Sequence, residues 1–414
     1  MDLRERLRRL AGTAGAEHAR PAAPGPPPLL PPPSTSSGLG IRRIAYRLDH
    51  RHGTRALGEV AKVRPGALAA LEGPASAALA ALPPGGFAGA RFFDVETTSI
   101  GGGAGVYVFL LGVGGIEGDA FVVEQLLLES PAAERALLAA AAERLRAASV
   151  LVSFAGRGFD ERRLADRFAM AALASPFREG PPHLDLLPLA RAVFGGRLAS
   201  ARLRDLEAGP LALGPERAGD LPGALCPDAY FRYLRGDPGA PMEAVLRHNR
   251  LDVLSLATLA VEVEDRARKS RDPAELLGLG RRYARLGRED LALPALARAE
   301  DEARAGSLPA PEARLLAEEL GRLLKRRGRL DEALARFSAA ASGPLPSIAA
   351  LVELAKDAEH RARDWAAAEA YTLAALALAR RGRAGRLVAD LERRIARVRA
   401  RKGRAGGEGW LLRG

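Results

Sequence analysis

Two acidic residues stand two apart in a short apolar stretch that runs from Arg91 to Ile100 and reads Arg-Phe-Phe-Asp-Val-Glu-Thr-Thr-Ser-Ile. Side chains along a β-strand alternate between its two faces, so Asp94 and Glu96 would point to the same side. Neighbouring carboxylates repel each other unless a cation lies between them, and hard oxygen ligands suit Mg²⁺ or Mn²⁺. The pair therefore predicts half of a divalent-metal site, although two solvated acids at a strand end would show the same pattern.

Three further residues are candidates for the same site. Asp160 follows a buried-looking strand and a turn bounded by glycines, while His248 and Asp252 lie four apart on a helix predicted over 242–268 and so share one of its faces. All three are expected to converge with the first pair at one end of a sheet. Each also has a simpler interpretation: Asp160 could cap a helix, Asp252 could pair with Arg247 or Arg250, and His248 could pack.

The elements around these residues predict a mixed α/β sheet. Short Gly-rich turns favour antiparallel pairing of neighbouring strands, and Ser130 and Pro131 mark the start of a helix. Strands are predicted over 91–96, 106–113, 120–128, 150–154 and 183–185, with helices over 131–148, from 159, and over 188–194, 203–207 and 227–234. This order is what a ribonuclease H-like fold with flanking helices requires.

Three motifs in this order resemble the signature of the DEDD exonuclease superfamily, and more closely that of the bacterial YprB-type ribonuclease H-like family. They read Phe92-Phe-Asp94-Val-Glu96-Thr-Thr, Ser153-Phe-Ala-Gly-Arg-Gly-Phe-Asp160 and His248-Asn-Arg-Leu-Asp252. The resemblance covers roughly residues 88–265. It implies a 3′–5′ exonuclease that hydrolyses phosphodiester bonds of single-stranded DNA or RNA.

The resemblance also implies a role for each matching residue. Four carboxylates would bind two Mg²⁺ or Mn²⁺ ions, as in two-metal phosphodiester cleavage. His248 would act as the general base, and Arg157 and Thr97 would contact the substrate. The four implied metal ligands are Asp94, Glu96, Asp160 and Asp252.

The chain departs from the family pattern at two places. The second motif carries Ala155-Gly156 where relatives usually carry Asn-Gly. In the third motif, one class of relatives has tyrosine four residues before the aspartate, where this chain has His248. The other class has histidine five residues before the aspartate, where this chain has Arg247. These departures favour an alternative in which a catalytically weak domain serves as a nucleic-acid-binding or scaffolding module.

Composition narrows the protein class. With 62 basic and 50 acidic residues, the net charge of +12 favours a polyanionic partner such as nucleic acid, although an Arg-rich composition is also typical of a GC-rich genome. The single cysteine, Cys226, excludes an intramolecular disulfide and a cysteine-based zinc site. No apolar run approaches the roughly 18 to 20 residues that span a membrane, and the N-terminus lacks the apolar core of a signal peptide. A cytoplasmic protein is expected.

Two residues and one aromatic helix receive structural interpretations. Asp185, with His183, could add a peripheral ligand or a substrate contact, but a strand end or a cap of the next helix is the favoured interpretation of Asp185. Tyr230, with Phe231 and Tyr233, could stack on bases, but anchoring its helix on the core is favoured. Cys226 is expected to be structural, since nothing near it in the sequence suggests an activated thiolate.

The last third of the chain predicts an all-α domain of repeats. The segment 328–337 aligns with 362–371 at an offset of 34 residues. A third similar segment, 287–296, precedes 328–337 by 41 residues. This period resembles tetratricopeptide repeats, which bind protein partners, whereas an irregular helical bundle is the alternative. The basic stretch 380–404 could touch nucleic acid or form a solvated helix.

The predicted organisation has five parts. They are a basic segment and Pro-rich disordered linker (1–40), a lead-in that packs on the nuclease domain (41–90), the ribonuclease H-like domain (91–268), the repeats (272–400) and a flexible tail (401–414).

Overall fold

The computed structural model describes residues 38–99, 101, 103, 105–178, 180–198, 200–303, 308–342, 345–382 and 385–411, with side chains through 404. Nearly all of the predicted basic segment and Pro-rich linker lies outside these residues.

A six-stranded mixed sheet forms the centre of the first half of the chain. Its order is β1-β6-β5-β4-β7-β8, antiparallel from β1 to β4 and parallel from β4 to β8, and β2 and β3 form a separate small hairpin. The predicted fold class, a mixed sheet with flanking helices followed by helices alone, is confirmed. The strands are β1 Leu39–Arg47, β2 Arg51–His52, β3 Arg55–Ala56, β4 Arg91–Thr97, β5 Val108–Glu117, β6 Ala120–Leu128, β7 Leu151–Ser153 and β8 His183–Asp185.

Strand β1 belongs to the main sheet. It pairs with β6 along its whole length, from Leu39 opposite Leu128 to Arg47 opposite Ala120. The segment 41–90, which we interpreted as a lead-in, therefore supplies an edge strand to the domain whose start we predicted at residue 91. Local sequence patterns do not reveal a pairing partner this distant in the chain.

Helices cover the sheet and follow the predicted order. The Ala-rich stretch before the sheet forms two short helices that are separated around Gly73-Pro74, because proline restricts the residue before it and cannot donate to the helix. The helices are α1 Pro65–Leu71, α2 Ser76–Ala80, α3 Glu134–Arg146, α4 Asp160–Met170, α5 Leu186–Phe194, α6 Leu203–Ala208, α7 Cys226–Leu234 and α8 Met242–Lys269.

Two glycines of β5 allow α8 to pack directly on the sheet backbone. Gly112 and Gly114 lie two apart and so face the same side. A Cβ atom at Gly112 would collide with the side-chain amide of Asn249, and one at Gly114 would lie 2.5 Å from Cγ1 of Val253. The close approach brings the third motif, on α8, over the strand that carries the first.

The C-terminal third is helical, as predicted. The last helix continues through 411, whereas we expected a flexible tail from 401, because local composition does not show where a long amphipathic helix ends. The helices are α9 Pro273–Arg285, α10 Glu289–Ala303, α11 Ala310–Arg326, α12 Leu330–Ser342, α13 Ile348–Asp357, α14 Trp365–Arg381 and α15 Gly385–Leu411, with a π-helical turn at Ala358–Ala362.

Equivalent turns and contacts recur along these helices. A Cβ atom at Gly280 would lie 2.5 Å from Leu296, and one at Gly321, 41 residues later, 2.6 Å from Phe337. Left-handed residues end α9 and α11 at Gly287 (φ 72°) and Gly328 (φ 74°). The next left-handed residue, Arg363 (φ 55°), follows Gly328 by 35 residues rather than 34, and the π-helical turn before it accommodates the extra one.

The first helical pair shares a core with the sheet domain. One cluster of buried apolar side chains includes Leu259 of α8, Leu279 of α9 and Leu296 of α10. In addition, Nε of Arg282 donates to the carbonyl oxygen of Leu71 at 2.8 Å. Packing is therefore continuous across the predicted boundary at 268–272. Within the described residues, every helix is too short or too polar to span a bilayer.

Candidate active site

Asp94 and Glu96 lie on the same face of β4, beneath α8, and the other acidic candidates lie close to them. Burial raises the pKa of Asp94 well above its usual value, and the negative charges of Asp252, Glu96 and Asp160 raise it further. The charges of the other three carboxylates therefore act on Asp94. We call these four side chains the carboxylate cluster.

Asp160 begins α4 after a tight turn. Its side chain is almost completely buried, and burial, followed by the charges of Glu96, Asp185 and Asp252, raises its pKa. A Cβ atom at Gly156 would collide with the Ser153 side chain and would lie 3.1 Å from Oδ2 of Asp160. The glycine of the second motif is thus required sterically next to the carboxylate.

His248 faces the cluster with one ring nitrogen and is held by the other. Its Nδ1 lies 2.8 Å from Oδ2 of Asp220, and its Nε2 lies 3.7 Å from Oδ2 of Asp252 and 3.9 Å from Oε1 of Glu96. Burial lowers the pKa of His248, but the Asp220 hydrogen bond and the charges of Asp252 and Glu96 outweigh it and raise the pKa to about 9. Asp220 orients the ring so that Nε2 points into the site.

Glu96 also contacts the only cysteine. Burial raises the pKa of Glu96 to about 7, opposed by the positive charge of His248 and by a hydrogen bond from Cys226. Burial and the Glu96 charge raise the pKa of the Cys226 thiol. Ligand atoms of Glu96, Cys226 and His248 lie within 4.8 Å of one another, which makes them a possible metal-binding group. A thiol that stays protonated is a poor ligand, so carboxylate oxygens are the better donors here.

A pair of side-chain amides, which the sequence analysis did not single out, orients Asp94. Asn249 donates from Nδ2 to Oδ2 of Asp94 at 2.9 Å, and Gln125 donates from Nε2 to Oδ1 of Asn249, also at 2.9 Å. Asp94, Gly112 and Gln125 are cross-strand neighbours in one row of the sheet, so the missing side chain at Gly112 leaves room for Asn249. The sequence offers one sign of this contact, because Gln125 is a polar residue within a mostly apolar strand.

Arg217 binds three acidic residues at the edge of the cluster. Its guanidinium contacts Glu207 and Asp252, and its Nη1 lies 2.8 Å from Oδ2 of Asp220. We expected any arginine partner of Asp252 to come from its own helix, as Arg247 or Arg250. The partner comes instead from the loop between α6 and α7, which a helix-based pattern cannot reveal.

The two predicted substrate contacts have other partners in this structure. Arg157 donates from Nη1 to Oε1 of buried Glu72 at 2.6 Å and also binds the carbonyl oxygen of His183. Thr97 is buried and donates to the carbonyl oxygen of Ser99 at 3.0 Å. The Arg157 guanidinium neutralises a buried acid, which argues against the substrate contact that we expected from its place in the second motif.

Two expectations for neighbouring residues agree with the geometry. Asp185 caps α5 by accepting from the backbone N–H of Leu187 at 3.0 Å, and it also accepts from that of Ala155 at 2.8 Å. Tyr230 stacks on Phe109 with ring centroids 4.2 Å apart, so it anchors α7 on the core.

Comparison with known proteins agrees with this architecture. Residues 91–264 match the family model described as the RNase H superfamily. This segment is therefore similar to domains of the RNase H superfamily. The chain is also 29% identical over 333 residues to the uncharacterized protein YprB of Bacillus subtilis (strain 168), an alignment that covers 78% of this chain and 77% of that protein.

Proteins of the RNase H superfamily generally bind nucleic acid and hydrolyse phosphodiester bonds. Nucleases of this type typically use divalent metals, and the carboxylate cluster fits such an ion. Its donors are hard oxygens, and neighbouring negative charges raise the pKa values of Asp94 and Asp160. A divalent cation would relieve that repulsion.

Proposed function

We propose that this protein is a metal-dependent nuclease, and specifically a 3′–5′ exonuclease of the DEDD type that acts on single-stranded DNA or RNA. The observation that carries the proposal is the convergence of four carboxylates and His248 in an RNase H-like domain.

The four carboxylates of the cluster would hold two Mg²⁺ or Mn²⁺ ions. Such ions supply stabilisation of charge on the phosphate and on the leaving oxygen, and they acidify water. Asn249 holds Asp94 in place through its hydrogen bond to Oδ2. This support pre-orients a ligand before any ion arrives, as hydrogen bonds to metal-binding residues commonly do.

His248 is the general base in this proposal. The Asp220 carboxylate accepts a hydrogen bond from Nδ1, so Nε2 is the nitrogen that faces Glu96 and Asp252 and would take a proton from the attacking water. The site without cations favours the protonated ring, because its pKa is about 9. Positive charge bound in the cluster would lower that pKa and favour the neutral ring that a base requires.

The helices from α9 onward would form tetratricopeptide-like repeats that bind a protein partner. The support is the recurrence of the Gly280–Leu296 contact at Gly321–Phe337, with a left-handed turn after each first helix. Along α15, several arginines pair with acids of the neighbouring helices, which favours a structural use of this basic stretch over contact with nucleic acid. These pairs include Arg394 and Arg397 with Glu359, and Arg399 with Glu369.

One observation favours a second function, a catalytically weak nucleic-acid-binding scaffold. Arg217 already neutralises Asp252, one of the four proposed ligands. If that ion pair is permanent, the site would bind nucleic acid without cleaving it.

Digestion of end-labelled single-stranded DNA and RNA distinguishes the two functions. The purified chain is incubated with Mg²⁺, Mn²⁺ or EDTA, beside Asp94→Asn and the control Asp166→Asn, which changes an exposed acid of α4. The nuclease predicts metal-dependent shortening from one end by the wild type and Asp166→Asn alone. His248→Ala should slow cleavage by about 10²- to 10⁴-fold. Binding without cleavage in all variants would support the scaffold.

A further inference from the structure

A cleft of about 260 Å³ opens directly beside the carboxylate cluster. Helix α6 forms one wall, the loop before α7 forms the other, and His248 and Asp252 lie between them. Because the cleft shares these two residues with the cluster, any role for it rests on the function proposed above. The two walls contribute Leu203, Arg204, Glu207, Arg217, Asp220, Leu221, Pro222 and Gly223.

Two arginines line the cleft, and one of them is not used to neutralise the acidic residues of its lining. Arg217 contacts all three lining acids, which are Glu207, Asp220 and Asp252. Arg204 is exposed, and within the described part of the chain its guanidinium makes no hydrogen bond or ion pair. Glu207, its neighbour one helical turn later, is already held by Arg217. Arg204 is therefore the lining arginine that can meet an incoming anion.

The remaining lining suits a small, partly planar ligand. Leu203, Leu221 and Pro222 provide an apolar surface for a base. A Cβ atom at Gly223 would lie 3.4 Å from Nε2 of His248, so this wall runs close to the proposed base nitrogen. The cleft volume of about 260 Å³ lies just below the range of about 300–1,000 Å³ that is typical of pockets for drug-sized ligands, so the cleft has room for no more than a single nucleotide.

We propose that this cleft binds the nucleotide next to the scissile bond and that Arg204 contacts its phosphate. A guanidinium offers two parallel N–H donors that match two phosphate oxygens, and such charge-assisted pairs are strong and directional. Arg204 thus takes the role that the sequence suggested for Arg157, whose guanidinium is committed to Glu72. A site of this size restricts the substrate to single-stranded ends.

Nucleotide binding without turnover tests the proposal. Calorimetry with the full chain, in Mg²⁺ and in EDTA, would compare adenosine 5′-monophosphate with adenosine. The monophosphate should bind more tightly to the wild type, and Arg204→Gln should weaken its binding about tenfold or more without affecting adenosine. Arg202→Gln is the matched control, because it removes the same charge from an exposed residue at the start of α6, and it should change binding less than about twofold.

The outcomes separate this proposal from the nuclease function. Equal affinity of wild type and Arg204→Gln for the monophosphate, or equal affinity of the wild type for both probes, would overturn the role of Arg204. Either result would leave the nuclease intact if Asp94-dependent cleavage is seen. Conversely, Arg204-dependent binding by a protein that never cleaves would retain the cleft and refute the nuclease.

Discussion

Buried acids in the helical region and in the carboxylate cluster differ in whether cationic side chains neutralise them. In the helical region, Glu359 is fully buried, and Arg394 Nη1 and Arg397 Nε each lie 2.7 Å from its carboxylate. The hydrogen bond from Arg397 lowers the pKa of Glu359 despite its burial. In the carboxylate cluster, burial and mutual repulsion raise the pKa values of Asp94, Asp160 and Glu96.

The difference separates an acid that stabilises the fold from acids that we propose bind metal ions. Glu359 has its own cations, whereas the cluster retains negative charge that costs free energy in the folded state. Strongly shifted pKa values of this kind are concentrated at functional sites. Asp252 is intermediate, since Arg217 neutralises it on one side and His248 faces it on the other.

The largest expected effect is on catalysis. Asp94→Asn should reduce metal-dependent cleavage by about 10³-fold or more, because metal ligation supplies several kcal/mol of transition-state stabilisation. The same substitution should leave the metal-free thermal midpoint unchanged or raise it, since one of several repelling charges is removed. Loss of the thermal transition together with normal specific activity of the folded fraction would contradict the ligand role.

The opposite effect is expected in the helical region. Glu359→Gln should lower the free energy of unfolding by about 1–3 kcal/mol, since two arginines lose their charged partner. Urea denaturation of the full chain measures this, and cleavage should not change. Equal effects of Glu359→Gln and Asp94→Asn on stability would remove the contrast between the two groups of acids.

The role of the hydrogen bond from Asn249 to Asp94 can be tested by measuring metal affinity. Asn249→Ala should weaken Mn²⁺ binding about 10- to 100-fold, as is typical when a hydrogen bond to a ligand is removed. Gly112→Ala should act in the same direction, because its Cβ atom would displace Asn249. Val122→Ala, a buried change on the neighbouring strand β6, controls for general loss of packing. Unchanged affinity in both site variants would show that Asn249 does not orient Asp94.

The charge of the metal-free site predicts an unusual pH dependence. Glu96 has a pKa of about 7 and His248 has a pKa of about 9 in the folded state. In the unfolded chain, the pKa values of glutamate and histidine are about 4.3 and 6.5. Both folded values are raised, so the folded state binds more protons and stability falls as pH rises between about 5 and 9. Thermal melts in EDTA should show this fall in stability. Glu96→Gln should make the midpoint less dependent on pH below about pH 7. A midpoint that rises with pH in the wild type would contradict the account.

The smallest expected effect concerns the second motif. Ala155 has φ 58°, a left-handed conformation that favours glycine or asparagine. Ala155→Gly and Ala155→Asn should each raise the free energy of unfolding by about 1 kcal/mol. Ala172→Gly, at φ 51°, is the matched control for backbone strain. If only Ala155→Asn raises activity, the asparagine of the relatives acts through its side chain. An equal rise in Ala155→Gly and Ala155→Asn, without a rise in Ala172→Gly, would assign its effect to the backbone.

Short-range rules predicted much of this architecture and of the candidate site. Strand alternation places Asp94 and Glu96 together, and helical spacing does the same for His248 and Asp252. Contacts between distant segments were not predictable in this way. Arg217 reaches Asp252 from a loop, β1 pairs with β6, and Arg157 turns to Glu72, because tertiary packing determines which partners each residue meets.

Direct measurement of Mn²⁺ binding tests the central claim that the carboxylate cluster requires a cation from solution. Electron paramagnetic resonance can count the bound ions on the wild type, on Asp94→Asn and on Asp166→Asn. The account predicts two ions on the wild type and on Asp166→Asn, with loss of at least one on Asp94→Asn. Identical binding by all three proteins would contradict it.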